Sequence, residues 1–134
     1  MVTTYNAVDI FPSCYDNYVG RVGIKGTRAG NFAMQNCDLL LVIGSRLPVP
    51  VTGYNYKTFA REAMVVVVDI DKEEHSKNTV GIDWFIHRDV KDFLTLNKFD
   101  RPKYGWNKTC SRWRDQWPVC PSENPSEKVD LYYF

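Results

Sequence analysis

Three glycines at every third position, Gly20, Gly23 and Gly26, constrain this chain more than any other feature of its sequence. Glycine allows a positive φ and lets another backbone or a ligand approach closely, so the spacing predicts a tight loop. We predict that a helix starts just after it, at Thr27 or Arg28, and continues to about Asn36. Such a loop can offer backbone N–H groups to an anion, but a packed loop without a ligand explains the same glycines.

Two apolar runs predict the main strands. The run from Asp38 to Gly44 is too short and too apolar for a surface helix, which favours a strand covered on both faces, as in a parallel sheet. The run from Met64 to Asp71 contains four consecutive valines and is the strongest strand signal in the chain.

The other segments predict an alternation of strands and short helices. We expect a strand at 2–5, a loop at 6–19, no regular structure from Pro48 to Gly53, a helix at 54–63, a helical turn within 72–78, a strand at 82–87, and a helix at 90–96 with Val90, Phe93 and Leu94 inward. Because strands alternate with helices, we predict an α/β fold with a doubly wound parallel sheet, Rossmann-like, in three α/β/α layers.

Composition excludes several classes of function. Lys and Arg total 17 and Asp and Glu total 16, so the net charge of +1 draws the chain neither to nucleic acid nor to a membrane surface. No apolar run approaches the roughly 20 residues of a membrane span, and no signal peptide pattern is visible. The four cysteines form no C-x-x-C pair, which predicts free thiols in the cytoplasm.

Polar residues follow each predicted strand, and strand ends of a parallel sheet share one ligand-binding crevice. They are Thr3 and Thr4, Gly44, Ser45 and Arg46, Asp69 and Asp71, and Arg88 and Asp89. In such a crevice Arg46 could bind a phosphate and Asp69 or Asp71 the ribose hydroxyls. Equally, Arg46 could pair with Asp69, and either aspartate could cap the next helical turn. His75 and His87 stand apart from other candidate groups, and we predict no catalytic or metal role for them.

Five motifs resemble one known family. They are G-x-x-G-x-x-G-x-R-A-x-N (Gly20 to Asn31), the C-D-L-L-L run ending in G-x-R-L (Cys37 to Leu47), T-G (Thr52 and Gly53), F-A-x-x-A (Phe59 to Ala63) and V-D-I-D (Val68 to Asp71). In this order, and from Val2 to about Leu94, they resemble the central domain of thiamine-diphosphate-dependent enzymes of the acetolactate synthase group.

The resemblance implies that this chain is one part of a three-domain enzyme. The family's thiamine diphosphate and magnesium lie between a pyrimidine-binding and a diphosphate-binding domain, whose motifs this sequence lacks. Similarity starts at what would be the second strand of the central domain, so we expect a piece truncated at both ends, with an incomplete sheet and no activity on 2-oxo acids by itself. Residues 1–100 would form the central domain, and the complete polypeptide would be a homo-oligomer.

Some members of the family bind FAD or an ADP-containing molecule in the central domain. Carried over by motif, the candidate cofactor contacts are Thr4, Tyr5, Gly23, Ile24, Lys25, Gly44, Ser45, Arg46, Asp69, Ile70 and Asp89. The FAD-using synthases carry acidic residues where this chain has Leu47 to Pro50. No catalytic residue and no metal ligand is implied. The alternative hypothesis is a stand-alone module that binds a nucleotide such as FAD or ADP, or a partner, without catalysis.

Residues 101–134 are predicted to form a separate helix and linker toward a missing domain. Trp106, Cys110, Trp113 and Trp117 recur at helical spacing, which predicts an apolar stripe buried on the sheet or against a neighbour. Pro118, Pro121 and Pro125 indicate a stiff linker, and 128–134 resembles the start of another helix.

Overall fold

The structure, a computed structural model, describes residues 1–96 and 104–119. Its strands are β1 (Val2–Thr3), β2 (Gly20–Arg21), β3 (Leu39–Ile43), β4 (Met64–Asp69) and β5 (Trp84–His87). Its helices are α1 (Arg28–Gln35), α2 (Val49–Thr52), α3 (Lys72–His75), α4 (Val90–Leu96) and α5 (Tyr104–Gln116). Within these described residues, no helix has the length and apolar character needed to cross a membrane.

All described strand pairs are parallel, and helices separate most of the strands, so the predicted α/β fold is confirmed. The strands form two sheets: β1 pairs with β2, and β3, β4 and β5 pair in that order. In the second sheet Ile43 lies opposite Val68, and Asp69 lies opposite His87. The carboxyl ends of its three strands therefore share one edge, which is where the predicted crevice lies.

The main core surrounds β4, whose residues Val65 to Val68 are all buried. Val65 and Val67 pack with Met34 of α1 and with Phe59. A smaller cluster joins α1 to α5 through Ala29, Ala33 and Cys110.

Helix α5 confirms the helix predicted from the tryptophan stripe, and it packs on α1. The rings of Trp113 and Trp117 lie 5.8 and 4.9 Å from the ring of Phe32, measured between centroids. One residue of α5 also reaches the loop before β2, because Arg114 Nη1 donates to the carbonyl oxygens of Tyr15, Asp16 and Tyr18 at 3.5, 3.3 and 3.2 Å.

The prediction that β3 is covered on both faces is wrong. Leu39 is 55% exposed and Ile43 is 37% exposed, whereas the neighbouring β4 is buried almost throughout. Among the described strands β3 pairs with β4 alone, so its other edge has no strand beside it. Leu94 of α4, predicted to face inward, is 50% exposed as well.

The predictions for 48–63 are also wrong. Pro48 caps α2 and Pro50 lies in its first turn, where the N–H that proline lacks has no helical partner in any case. The predicted helix at 54–63 is replaced by a 3-10 turn at Tyr56–Thr58, and Ala60 takes a φ of 44°, which interrupts a helix.

Cys14, Cys37 and Cys110 are free thiols, as predicted. Burial raises the pKa of Cys37 and of Cys110, so both thiols are poor nucleophiles. The predicted boundary at residue 100, Cys120, the linker beyond residue 119 and the predicted helix at 128–134 lie outside the described residues.

Candidate functional site

The glycine loop is held together by its own backbone and by Asn31 of α1. The Gly23 N–H donates to Asn31 Oδ1 at 2.8 Å, and Asn31 Nδ2 donates to the Gly23 carbonyl at 3.0 Å. The N–H groups of Ile24 and Gly26 donate to the carbonyls of Pro50 and Gly23, at 2.8 and 2.9 Å. Three amides that an anion could have used therefore already have partners inside the protein.

Close backbone packing accounts for the glycine spacing. A Cβ atom at Gly23 would lie 2.4 Å from the Pro50 carbonyl oxygen, and one at Gly26 would lie 2.6 Å from the Arg21 carbonyl oxygen. Gly23 also has a φ of 94°, which disfavours other residues. The packed-loop alternative thus describes these glycines, while ligand contacts of Gly23 and Ile24 stay a prediction.

Two predicted residues, Lys25 and Tyr5, meet at the glycine loop. The Lys25 ammonium lies 4.8 Å from the centre of the Tyr5 ring, a cation–π contact at the end of β1. Thr4 precedes Tyr5, and its carbonyl accepts from the Ala7 N–H at 3.1 Å. Ile24 itself is exposed to solvent.

The turn after β3 places three more predicted residues at the shared strand edge. Gly44 has a φ of 59°, and its N–H donates to the Val68 carbonyl at 3.0 Å. Ser45 is half-buried and Arg46 is exposed. The alternative pairing of Arg46 with Asp69 is not seen among the described residues, where the ion-pair partner of Asp69 is His75.

Asp69 is the most constrained polar group of the crevice. It is buried, its Oδ1 accepts from the Asp71 N–H at 3.0 Å, and its Oδ2 lies 3.2 Å from His75 Nε2. Burial on its own raises the pKa of Asp69, but the hydrogen bonds and the charge of His75 outweigh it and hold the pKa below its usual value. The carboxylate therefore stays ionised at neutral pH.

The neighbouring aspartates cap helices. Asp71 Oδ1 accepts from the Glu74 N–H at 3.1 Å at the start of α3, which is the capping alternative weighed for this residue. Asp89 Oδ1 accepts from the Lys91 N–H at 2.8 Å at the start of α4. Both carboxylates thus have a structural role at this edge.

Two histidines that the sequence left without a role belong to this edge. His75 contacts Asp69, and His87 Nε2 lies 2.8 Å from the carbonyl oxygen of Ile70, another predicted contact. The Phe85 ring lies near both imidazoles, 5.4 and 6.3 Å away between centroids. The sequence could have placed His87 at this edge, because it lies at the end of a predicted strand. It could not have predicted the contact between Asp69 and His75, which depends on how the chain turns after β4.

A cavity of about 640 Å³ is lined in part by the glycine loop, at Ile24 to Gly26. Arg21, Lys25 and Arg28 line it together with Trp117 and Gln116 of the C-terminal segment. The Arg28 guanidinium lies 5.6 Å from the centre of the Trp117 ring, and Arg21 Nε is buried without a hydrogen-bond partner among the described residues. Three cations and a flat ring are chemically suited to an anionic ligand that carries a ring.

A metal ion held by protein side chains requires several ligands that lie close together. No group of three or more His, Cys, Asp or Glu side chains among residues 1–96 and 104–119 could hold a metal ion.

The chain matches known proteins over most of its length. Residues 1–96 match the family model described as thiamine pyrophosphate enzyme, central domain. The acetolactate synthase large subunit of Pyropia yezoensis is 36% identical over 127 residues, covering 89% of this chain and 21% of that protein. The isozyme 2 large subunit of Escherichia coli K12 is 36% identical over 102 residues, covering 76% of this chain and 18% of that protein.

A third relative, the probable acetolactate synthase large subunit of Methanocaldococcus jannaschii, is 40% identical over 92 residues, covering 69% of this chain and 15% of that protein. The chain thus spans about a fifth or less of the length of these relatives. The motifs between Gly20 and Asp71 lie within the matched residues, and the resemblance drawn from them is confirmed. The chain belongs to the thiamine pyrophosphate enzymes and corresponds to their central domain.

Proposed function

We propose that this chain serves as the central domain of a cytoplasmic thiamine-diphosphate-dependent enzyme that makes or breaks a carbon–carbon bond of a 2-oxo acid, as an acetolactate synthase does. Its role is to provide an α/β framework between a pyrimidine-binding and a diphosphate-binding domain, which supply the groups that hold thiamine diphosphate and magnesium. The observation that carries the proposal is the match to acetolactate synthase large subunits over most of the chain.

The geometry of the strand edge supports a framework role. Asp69, Asp71 and Asp89 each accept a hydrogen bond from a nearby backbone N–H, and the glycine loop uses its amides internally. These groups stabilise turns and helix starts, which is what a domain that positions its neighbours requires.

A chimera tests this proposal. Residues 1–96 replace the matching segment of the E. coli isozyme 2 large subunit, and acetolactate is measured with pyruvate as the 2-oxo acid, in the presence of magnesium and thiamine diphosphate. We expect a folded chimera that forms acetolactate, and no acetolactate from the 134-residue chain alone. A folded but inactive chimera, or an active isolated chain, would contradict the proposal.

One observation favours a second function, the binding of a nucleotide such as ADP or FAD. Arg21, Lys25 and Arg28 bring three positive charges to one cavity beside the Trp117 ring. A diphosphate and an aromatic base would suit these groups. Arg46 offers a different phosphate contact, at the strand edge.

Thermal unfolding with FAD, ADP, NAD or magnesium thiamine diphosphate separates these possibilities. A ligand at about 100 times its Kd stabilises a fold by about 2.7 kcal/mol, which raises the Tm of a domain of this size by several degrees. If the nucleotide no longer raises the Tm of Lys25→Ala, it binds in the cavity. If it no longer raises the Tm of Arg46→Ala, it binds at the strand edge. The exposed Lys57→Ala is the control. No shift with any ligand would rule out nucleotide binding by this chain.

A further inference from the structure

The cavity of about 640 Å³ beside the glycine loop, which we call the loop cavity, collects positive charge that no carboxylate balances. Arg21 of β2, Lys25 of the loop and Arg28 at the start of α1 all line it. None of the described residues that line it is acidic, and none of the three cations forms an ion pair with a described residue. Because the whole chain has a net charge of only +1, this concentration of cations is a local feature.

Arg21 is the cation whose position is most fixed. Its carbonyl oxygen accepts from the Thr27 N–H at 2.9 Å, which ties β2 to the start of α1. Its Nε is the one buried side-chain nitrogen or oxygen atom that has no hydrogen-bond partner among the described residues. An unpaired buried donor on a charged group is costly, so an anion that accepts from Arg21 would remove this cost.

The other two cations are positioned by aromatic rings. The Lys25 ammonium lies 4.8 Å from the centre of the Tyr5 ring, and the Arg28 guanidinium lies 5.6 Å from the centre of the Trp117 ring. A cation–π contact orients the charge without neutralising it. A guanidinium that lies over a ring also keeps the N–H groups at its edge free for the oxygens of a phosphate.

The Trp117 ring already has partners on α1. Arg28 lies over it, and the Phe32 ring lies 4.9 Å away between centroids, inclined by 52°. A nucleotide base that stacked on the face covered by Arg28 would have to displace the guanidinium. The ring therefore suits the role of a support for Arg28 better than that of a platform for a base.

We propose that the loop cavity binds a diphosphate group, recognised by Arg21, Lys25 and Arg28 without a contribution from a base. This rests on the second function proposed above and names the part of the ligand that the cavity recognises. The charged oxygens of two phosphate units can reach all three cations, whereas a carboxylate carries a single charge. The Gln116 carboxamide also lines the cavity and can donate to the same anion.

The bound diphosphate joins two parts of the chain that are distant in sequence. The three cations belong to β2, the glycine loop and α1, whereas Gln116 is the last residue of α5 and Trp117 follows it. An anion between them holds the end of α5 against the glycine loop.

Isothermal titration calorimetry of the full 134-residue chain tests the proposal with sodium pyrophosphate, ADP and adenosine in buffer without magnesium. We expect pyrophosphate and ADP to bind with Kd values within about tenfold of each other, and adenosine not to bind. Binding of ADP without binding of pyrophosphate would overturn this inference and leave the nucleotide function standing. Binding of pyrophosphate without binding of ADP would support the inference and overturn the nucleotide function, and binding of neither would overturn both.

Charge-neutral variants locate the anion. Arg21→Gln and Arg28→Gln should each weaken pyrophosphate binding by about tenfold or more, because each removes a charge-assisted hydrogen bond. Arg28→Lys should recover only part of the affinity, because an ammonium lacks the planar fork of a guanidinium. Lys57→Gln and Arg112→Gln remove the same charge at exposed positions outside the cavity and should change the Kd by less than about twofold. An equal loss in cavity and control variants would overturn the proposal, and the titrations of the unmodified chain stand even if Arg21→Gln fails to fold.

Hydrogen exchange measured by mass spectrometry tests the connection to α5. With pyrophosphate at about 100 times its Kd, we expect amides within 21–28 and within 114–117 to exchange about tenfold more slowly, and those of β5 to be unaffected. Protection confined to 21–28 would overturn the inference that the anion holds the end of α5.

Discussion

Gly30 shows how closely α1 approaches β2. A Cβ atom at this position would lie 2.2 Å from the carbonyl oxygen of Arg21, which is backbone and cannot rotate away. Ala29 and Ala33 are buried on the same helix. Glycine at position 30 therefore allows the helix to approach the strand this closely.

We expect Gly30→Ala to lower the Tm, although alanine is the better helix former by about 1 kcal/mol. The clash with Arg21 outweighs that preference because one of the two backbones would have to move. Gly105→Ala in α5 is the control, since no atom of the described residues lies within 4 Å of a Cβ there, and it should raise stability by roughly 0.5–1 kcal/mol. Equal effects of the two substitutions on stability would contradict the prediction that close packing of α1 on β2 requires glycine at position 30.

Asp69 makes stability depend on pH in acid. Its folded pKa lies below the unfolded value of about 3.9, so its contribution is fully present above that value and is lost as the pH falls through the folded pKa. We expect Asp69→Asn to cost about 1–3 kcal/mol in urea unfolding at pH 7, and progressively less as the pH falls below the unfolded pKa toward the folded one. A cost that is the same at pH 7 and pH 3 would contradict this assignment.

Local chemistry predicts single residues well where the partner is close in sequence. Thr27 caps α1, its Oγ1 accepting from the Gly30 N–H at 3.0 Å, and Asp71 caps α3. The clamp between Asn31 and Gly23 and the pairing of Asp69 with His75 depend on how elements meet in space. The sequence pattern therefore left both the ligand and the packing alternatives open.

At the scale of elements, α5 depends on α1 for its burial. Trp113 contacts Phe32 and also Trp106, whose ring lies 5.7 Å away and nearly perpendicular. Cys110 is buried in the cluster that both helices share. The stripe of apolar residues predicted this helix, but not which surface it would cover.

We expect Trp113→Ala to lower the free energy of unfolding by about 2 kcal/mol, less than the roughly 3–5 kcal/mol typical of a fully buried tryptophan. The loss follows from the two ring contacts and can be measured by urea unfolding. Arg112→Ala, an exposed neighbour on the same helix, should change stability by less than about 0.5 kcal/mol. If both variants behave alike, α5 does not depend on its stripe for stability.

Periodicity predicted β4, α1 and α4 almost to the residue, because each has a strong local pattern. Periodicity did not predict the exposure of β3, because its apolar composition indicates a strand but not how many neighbours the strand has. It failed around Pro48 and Pro50 because proline is unfavourable inside a helix and favourable at its start. Such errors arise where tertiary contacts or the exact helix start decide the structure.

At the scale of the whole molecule, the described strands form two sheets of unequal strength. The three-stranded sheet is built around the buried β4, whereas β1 and β2 share a ladder of two residue pairs. Stability is therefore distributed unevenly, with the region around β1 and β2 at the weaker end.

Native-state hydrogen exchange should show this difference. We expect amides of β4 to exchange through global unfolding and those of β1 and β2 through smaller openings, with free energies lower by a few kcal/mol. As the urea concentration rises, the opening free energies of the two classes of amide should converge, because global unfolding becomes the dominant route of exchange. Exchange of Thr3 that is as slow as that of Val67 in the absence of urea would contradict this order.

The contacts of Arg114 also bear on how the chain is made. The carbonyl groups of 15–18 acquire this guanidinium only after nearly one hundred further residues have been translated. At ribosomal rates of about 5–20 residues per second, the N-terminal loop waits roughly 5–20 s for its anchor. During that interval the loop lacks the contact, so α5 stabilises a loop that was translated nearly one hundred residues before it.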